Sequence, residues 1–352
     1  MKPFFVIACC TLLFPLSGLR AQIKGYPEGV KEITFPAQAD NSHQPALFWR
    51  PKANDKPVPL LVALHTWSNN YKQAGGEAEY AKWCQAMNWC FIHPDFRGSN
   101  TTPNAMGSEY VYQDIMDAIA YAKLNANVDE NRIYAIGVSG GGHAAMYMAA
   151  RSPDMWAGVS AWCGISDIAA WHAECNDTRF NRYAKHIEKV LGGSPATNQH
   201  IAEQAKLRSP NYWLAKAKTL PPLDINHGIK DGRTGSVPFT HAYTAWNAAH
   251  THNPNKKFTV KDIAGYYQTQ TIPKTWSTLN EAGPDILYGQ RQPLFQRVDG
   301  NLRLTIFDGG HEIVHDAALN WLAAQIKGQQ PTWQVPPVHR LQTSEKNKQI
   351  GK

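Results

Sequence analysis

The segment Arg132-Ile133-Tyr134-Ala135-Ile136-Gly137-Val138-Ser139-Gly140-Gly141-Gly142 decides the fold. Its first half is an apolar run of strand character, and residues 143–150 after it read as a helix, so Ser139 stands at a strand-to-helix junction. A sharp turn there crowds the backbone. Flanking glycines, which lack a Cβ, let the serine take a strained, exposed position with its hydroxyl at the helix N-terminus. A phosphate loop would end in Lys-Ser or Lys-Thr, and this run does not. The competing reading is a glycine-rich turn with a bystander serine, and the residues downstream weigh against it.

A serine hydroxyl is too weakly acidic to attack a carbonyl unaided, so a base must reach it and an acid must hold that base in the right tautomer. Residues 221–228 (PPLDINHG) read as a buried strand, and Asp231 stands just past its end. Residues 302–308 read as the last strand, followed by Gly309, Gly310 and His311. The order Ser139, Asp231, His311 is that of α/β-hydrolases. Asp224, inside its strand, and Asp308, ahead of the glycines, compete for the role of acid. His315, four residues past His311, is read as a capping or packing residue. His65, His93, His143 and His227 fall at strand ends or the elbow and are read as hydrogen-bonding positions, not as a metal set. Acyl transfer places negative charge on the former carbonyl oxygen, which calls for two backbone N–H donors. Gly140 supplies one, and the loop 64–68 (LHTWS) the other, with Trp67 preferred to Thr66. Trp67 also reads as a sugar-stacking platform or as loop packing.

Outward from this core, strand-like and helix-like runs alternate from about residue 30 to residue 327, which implies a mostly parallel, doubly wound α/β sheet. Residues 31–35 and 46–50 read as leading strands, for which an antiparallel hairpin is one pairing, and residues 59–65 as a fully apolar strand. Two stretches break the rhythm: residues 166–219, read as a helical cap, and residues 264–300, read as a long functional excursion. Residues 22–329 therefore form a single domain, and residues 330–352 read as a flexible tail. Residues 1–21 read as a cleaved signal peptide, which implies export to the periplasm or the medium; a lipoprotein box at Val6-Ile7-Ala8-Cys9 is the lesser reading.

The formal net charge is +7, and the leader accounts for two of those charges through Lys2 and Arg20. No Lys/Arg block argues for nucleic acid, and no stretch argues for stable membrane insertion. Four cysteines remain beyond the leader: Cys84, Cys90, Cys163 and Cys175. Their spacings fit no zinc site, and no cofactor is implied. In an oxidising compartment Cys163–Cys175 is the favoured bridge; four buried thiols are the even alternative.

The ordered set Asp95-Phe96-Arg97-Gly98, Gln113-Asp114, Val128-Asp129 before Arg132, Gly137-x-Ser139-x-Gly141, His227-Gly228-x-x-Asp231 and His311 resembles the catalytic domain of the prolyl oligopeptidase family. The resemblance spans roughly residues 58–327 and implies the α/β-hydrolase fold with Ser139, Asp231 and His311 as its triad. Two departures matter. The strand-end loop is His-Thr-Trp-Ser where relatives commonly carry His-Gly-Gly, and no propeller precedes residue 58. Propeller-less relatives are similar to acetyl xylan, feruloyl and other carbohydrate esterases, so the expected function is an exported serine esterase acting on carbohydrate-derived esters. A peptidase acting on short peptides is the alternative, and would need an acidic pair in the cap, where Glu174 is the candidate. A catalytically dead binding protein is the third class. Thr66, Arg97, Trp162, Trp171 and Arg291 are the candidate substrate contacts. Trp276 is a further stacking candidate, half of these tryptophans reading equally as ordinary core, and Arg233 and Arg297 are further partners for a uronate carboxylate, while Arg97 reads equally as a structural partner of Asp95.

Overall fold

The computed structural model describes residues 22–52 and 56–341; the leader and the last stretch of the tail, 342–352, lie outside the described residues. The chain enters through an antiparallel pair, β1 (Lys31–Pro36) and β2 (His43–Trp49). It continues through β3 (Val58–Leu64), α1 (Gly75–Ala86), β4 (Cys90–Pro94), α2 (Glu109–Asn125), β5 (Val128–Val138), α3 (Gly140–Arg151) and β6 (Gly158–Trp162). Four helices then intervene: α4 (Ile168–Cys175), α5 (Asn181–Leu191), α6 (Gln199–Leu207) and α7 (Pro210–Leu214). The sheet resumes with β7 (Leu223–Gly228), leaves again through α8 (Thr240–Ala249) and α9 (Val260–Thr269), and closes with β8 (Pro293–Asp299), β9 (Leu302–Phe307) and α10 (His315–Ala323).

These strands form one nine-stranded sheet in the order β1-β2-β4-β3-β5-β6-β7-β9-β8. The centre from β4 to β9 is parallel, and the outer strands β1, β2 and β8 run antiparallel. Strand β3 shows why both faces must be covered, because every one of its residues is buried. Leu60, Val62 and Leu64 join the core beneath α2, α3 and α8, while Leu61 and Ala63 join the core beneath α1 and α10. A third core belongs to the cap, where Ala184, Ile187 and Val190 give α5 an apolar stripe packed with Ile168 and Trp171 of α4.

Three expectations change here. The excursion at 264–300 is not all loop, since it begins inside α9 and ends in the edge strand β8, paired with β9. Trp276 is core, ringed by Tyr243, Phe258 and Phe295. The tail is ordered as far as Leu341. Trp333 stacks on Trp321 of α10 at 5.4 Å, and the Asn320 side chain accepts from the N–H groups of Val338 and His339. Among the described residues no helix is long and apolar enough to cross a membrane.

Candidate active site

Strand β5 delivers Ser139 to the elbow with φ 60° and ψ −120°, a conformation that costs a non-glycine residue energy and persists only where its surroundings impose it. The imposition is visible. The Ser139 N–H donates to Trp162 O at 2.9 Å, and the surrounding glycines abut other backbone directly. A Cβ on Gly137 would strike Gly141, one on Gly141 would strike Leu64 O, and one on Gly140 would strike Trp67 N. The glycines are therefore contact surfaces between β5, α3 and the loop after β3.

Asp231 lies just past β7, fully buried, and gathers four donors. Gly232 N and Val237 N reach its Oδ1 at 2.9 and 3.3 Å, and His227 Nε2 and His311 Nδ1 reach its Oδ2 at 3.0 and 2.6 Å. Burial opposes its charge, but the hydrogen bonds from His227 and His311 outweigh that and hold the carboxyl well below the usual carboxylate range. His227 Nε2 also faces Val237 O at 3.0 Å; with two acceptors before it, that nitrogen carries the proton and donates. His311 stands on the loop between β9 and α10, donating through Nδ1 and leaving Nε2 free to accept. Asp224 instead forms a buried pair with Arg303 at 2.7 Å, and Asp308 a surface pair with Lys230.

Ser139 and His311 open into one cavity of about 430 Å³, which Thr66, Trp67, Glu77, Arg182, Tyr183, Glu312 and His315 also line. Thr66 and Trp67 differ as N–H donors. The Thr66 N–H is taken by Gln73 Oε1 at 3.1 Å, whereas among the described residues no acceptor takes that of Trp67. The Gly140 N–H opens α3 and so has no intrahelical partner. Trp67 N lies against Gly140, the residue that follows Ser139.

Several expected contacts fall elsewhere. The Trp67 ring is buried edge-on against Trp171 at 4.7 Å, so it packs the loop and offers no face to a sugar. Trp171 is itself buried, donating to Ser236 O, and Trp162 is sealed under the sheet with its Nε1 on Ser160. Arg97 is engaged by Asp114 and Asp40, distant in sequence, not by Asp95 and not by the cavity. Arg291 pairs with Glu312 at 3.1 Å on the rim of a neighbouring cavity. Arg233 is spent on the carbonyls of Tyr267 and Gln268, and Arg297 lies over Trp246 and Phe258. Glu174 holds His241 at 2.9 Å outside the cavity.

Of the histidines, His65 bridges the Thr66 and Asp95 carbonyls, His93 meets Tyr26, and His143 meets Arg208 O. His315 heads α10 with its Nε2 unpartnered. The favoured Cys163–Cys175 bridge is absent and all four cysteines are free and buried. The Cys163 thiol points to the Gly310 and Glu312 carbonyls, while Cys175 sits out in the cap facing Ser236 O. Cys163, Asp231 and His311 present ligand-type atoms within 4.8 Å of one another, and burial raises the Cys163 thiol well above its ordinary range. His227 is a hydrogen-bonding position, as its place at a strand end suggests, whereas Arg182, Tyr183 and Glu77 are not among the candidate site residues read from the sequence.

Comparison with known proteins follows this geometry. The BD-FAE family pattern matches residues 48–245, more than half of the chain. An uncharacterised peptidase of Bacillus subtilis, YtmA, is 28% identical over 131 residues, covering 37% of this chain and 46% of its own. Acetylxylan esterase A of Emericella nidulans is 21% identical over 224 residues, covering 60% and 69%. Among solved structures, an acylaminoacyl peptidase bound to a chloromethyl ketone superposes with a TM-score of 0.50 at 17% identity, over 65% of this chain and 35% of that one. The chain thus spans about half the length of the Bacillus relative and about a third of the solved peptidase, and the structural likeness bears on the fold.

Proposed function

The chain belongs to the BD-FAE family, and from that premise we propose that it is an exported serine hydrolase of carboxylic esters, acting on carbohydrate-derived substrates. The observation that carries the reading is the shared cavity: a strained Ser139 opens into the same space as His311, whose Nδ1 is bound to the buried Asp231 carboxylate.

In this reading Ser139 Oγ attacks the ester carbonyl while His311 Nε2 takes its proton. Asp231 stabilises the resulting imidazolium, and the Gly140 and Trp67 N–H groups hold the oxyanion. Collapse breaks the bond to the alcohol oxygen, which leaves with the proton from His311. Water then attacks the acyl-serine, giving a proton to His311, and the acid departs as the serine is reprotonated. An ester favours this site over a peptide because an amino terminus wants ionised carboxylates, and the cap candidate Glu174 is engaged by His241 away from the cavity.

Parallel assays of acetyl, feruloyl and methyl-uronate esters against proline and alanine anilides test the reading, with Ser139→Ala as the control. Ester turnover that Ser139→Ala abolishes is the expected result. Anilide turnover exceeding that of every ester would replace it with a peptidase, and ester turnover untouched by Ser139→Ala would remove the nucleophile.

A further inference from the structure

The arginines around the catalytic cavity are not alike. Arg291 is neutralised by Glu312, Arg179 reaches the carbonyls of Arg233 and Thr234, and Arg233 reaches those of Tyr267 and Gln268. Arg182 differs. It opens the cap helix α5 and lines the cavity with Ser139, and among the described residues it forms no ion pair. Its contacts are with its neighbour Tyr183, through the hydroxyl at 2.7 Å and the ring at 4.7 Å.

Tyr183 is braced from behind. Its ring lies 5.0 Å from Trp171, which in turn packs edge-on against Trp67 at 4.7 Å. The aromatic column therefore runs from Trp67 in the loop after β3 to Tyr183, the residue next to Arg182. Neither carboxylate lining the cavity pairs with Arg182 among the described residues. Glu312 is spent on Arg291, and the Glu77 side chain is buried with neither oxygen partnered. Arg182 is thus an exposed guanidinium on the cavity that holds Ser139, paired with no carboxylate among the described residues.

We infer that Arg182, seated on the Tyr183–Trp171–Trp67 column, binds a carboxylate carried by the substrate, so that the preferred esters are acidic ones. This rests on the serine esterase reading. It commits the specificity to the cap, with the guanidinium taking the carboxylate through paired N–H donors.

Matched ester pairs test it on the full chain. For an acid on the alcohol side the pair is 4-acetoxybenzoate and its methyl ester; for an acid on the acyl side it is mono-4-nitrophenyl glutarate and its methyl ester. The expected result is a kcat/KM ratio, acidic over neutral, of about ten or more in one pair. That ratio should fall about tenfold in Arg182→Gln, recover in part in Arg182→Lys, and narrow with added salt. Lys185→Gln removes the same charge from an exposed position of the same helix and should leave the ratio where it was. Calorimetric binding of the first pair to Ser139→Ala protein reads the contrast without turnover. A ratio near one in both pairs, or a preference surviving Arg182→Gln, overturns the inference. Preferential binding of the acidic member by a chain that turns over neither ester would retain the anion site and discard the esterase reading.

Discussion

Two aspartates at opposite ends of β7, Asp224 near its start and Asp231 just past its end, are sorted by their neighbours. Asp224 faces a guanidinium in a buried pair, and Asp231 faces two imidazoles and two backbone N–H groups. Asp231→Asn keeps the volume but presents the wrong hydrogen-bonding partner to His311, so kcat should fall by about 10⁴ with KM little changed. Asp224→Asn leaves Arg303 buried without its counter-charge, and should cost about 3–5 kcal/mol of stability while the folded enzyme still turns over. Urea denaturation and initial rates on both variants separate these roles, and exchanged outcomes would reverse the assignment. Glu77 behaves differently again. Burial pushes its carboxyl from the ordinary 4.5 up to about 7, so over that range the folded protein holds a proton that the unfolded chain has released. The stability associated with it is intact below pH 4.5 and is lost as pH rises through 7. Against Glu77→Gln, which cannot titrate, wild-type stability should decline by on the order of 3 kcal/mol between pH 4 and pH 8. Parallel stability-pH curves for the two proteins would show that the carboxyl does not behave as a buried acid.

At the scale of elements, the glycines of the elbow separate contact from conformation. A methyl on Gly140 meets Trp67 N and Cα, so Gly140→Ala must displace the loop after β3 and with it the N–H proposed to hold the oxyanion. The expected loss is about 10²–10³ in kcat. Gly265, inside α9, faces open space, and Gly265→Ala should raise stability by about 0.5–1 kcal/mol with activity retained. Rates and melting curves on this pair check both, and an unchanged kcat in Gly140→Ala would dissociate the loop from the chemistry. The elbow, β7 with Asp231 and β9 with His311 were legible because continuous apolar runs ending in glycine or aspartate carry their own punctuation. Strand β8 was not, since Pro-Leu-Phe-Gln-Arg-Val-Asp is half exposed at the sheet edge and has too little apolar pattern to stand out from the loop before it. Thr66 does line the cavity with Ser139, but Arg97, Trp162 and Trp171 were misplaced for a related reason. A tryptophan or arginine announces its chemistry but not its partner, and the partners of Arg97, Trp162 and Trp171 are set by tertiary packing. Arg182 gave the opposite problem: an arginine on an amphipathic helix reads as a solvated face until the fold turns that face toward Ser139.

Across the whole molecule, the segment 330–341 works as a strap although its composition reads as a tail. Arg303 of β9 donates to Trp333 O at 2.7 Å and lies over both the Trp321 and Trp333 rings, so the buried ion pair with Asp224 and the terminal tryptophan share one guanidinium. Further along, Gln325 meets Thr332, Asp316 accepts from Leu341 N, and His339 packs edge-on against Trp83 of α1. The strap therefore ties α10 to β9 and α1 on the face opposite the cap helices. The His311 loop is held at both ends by the elements so tied, and its own hydrogen bonds run to Asp231 and, through Gly310, to Glu312 and Cys163; among the described residues none runs to 330–341. Removing the strap should consequently cost stability before it costs chemistry. Trp333→Ala is expected to destabilise the fold by about 2–3 kcal/mol, less than a fully buried tryptophan because the ring is half exposed. A chain ending at Gln329 should lose more, with faster proteolysis near α10 and a kcat within about twofold of wild type at temperatures where it remains folded. Thermal melts, limited proteolysis and rates measured well below the transition check this. A truncated chain that stays fully folded but loses turnover would mean that the strap positions His311, and would move residues 330–341 from the stability of the fold into the working of the site.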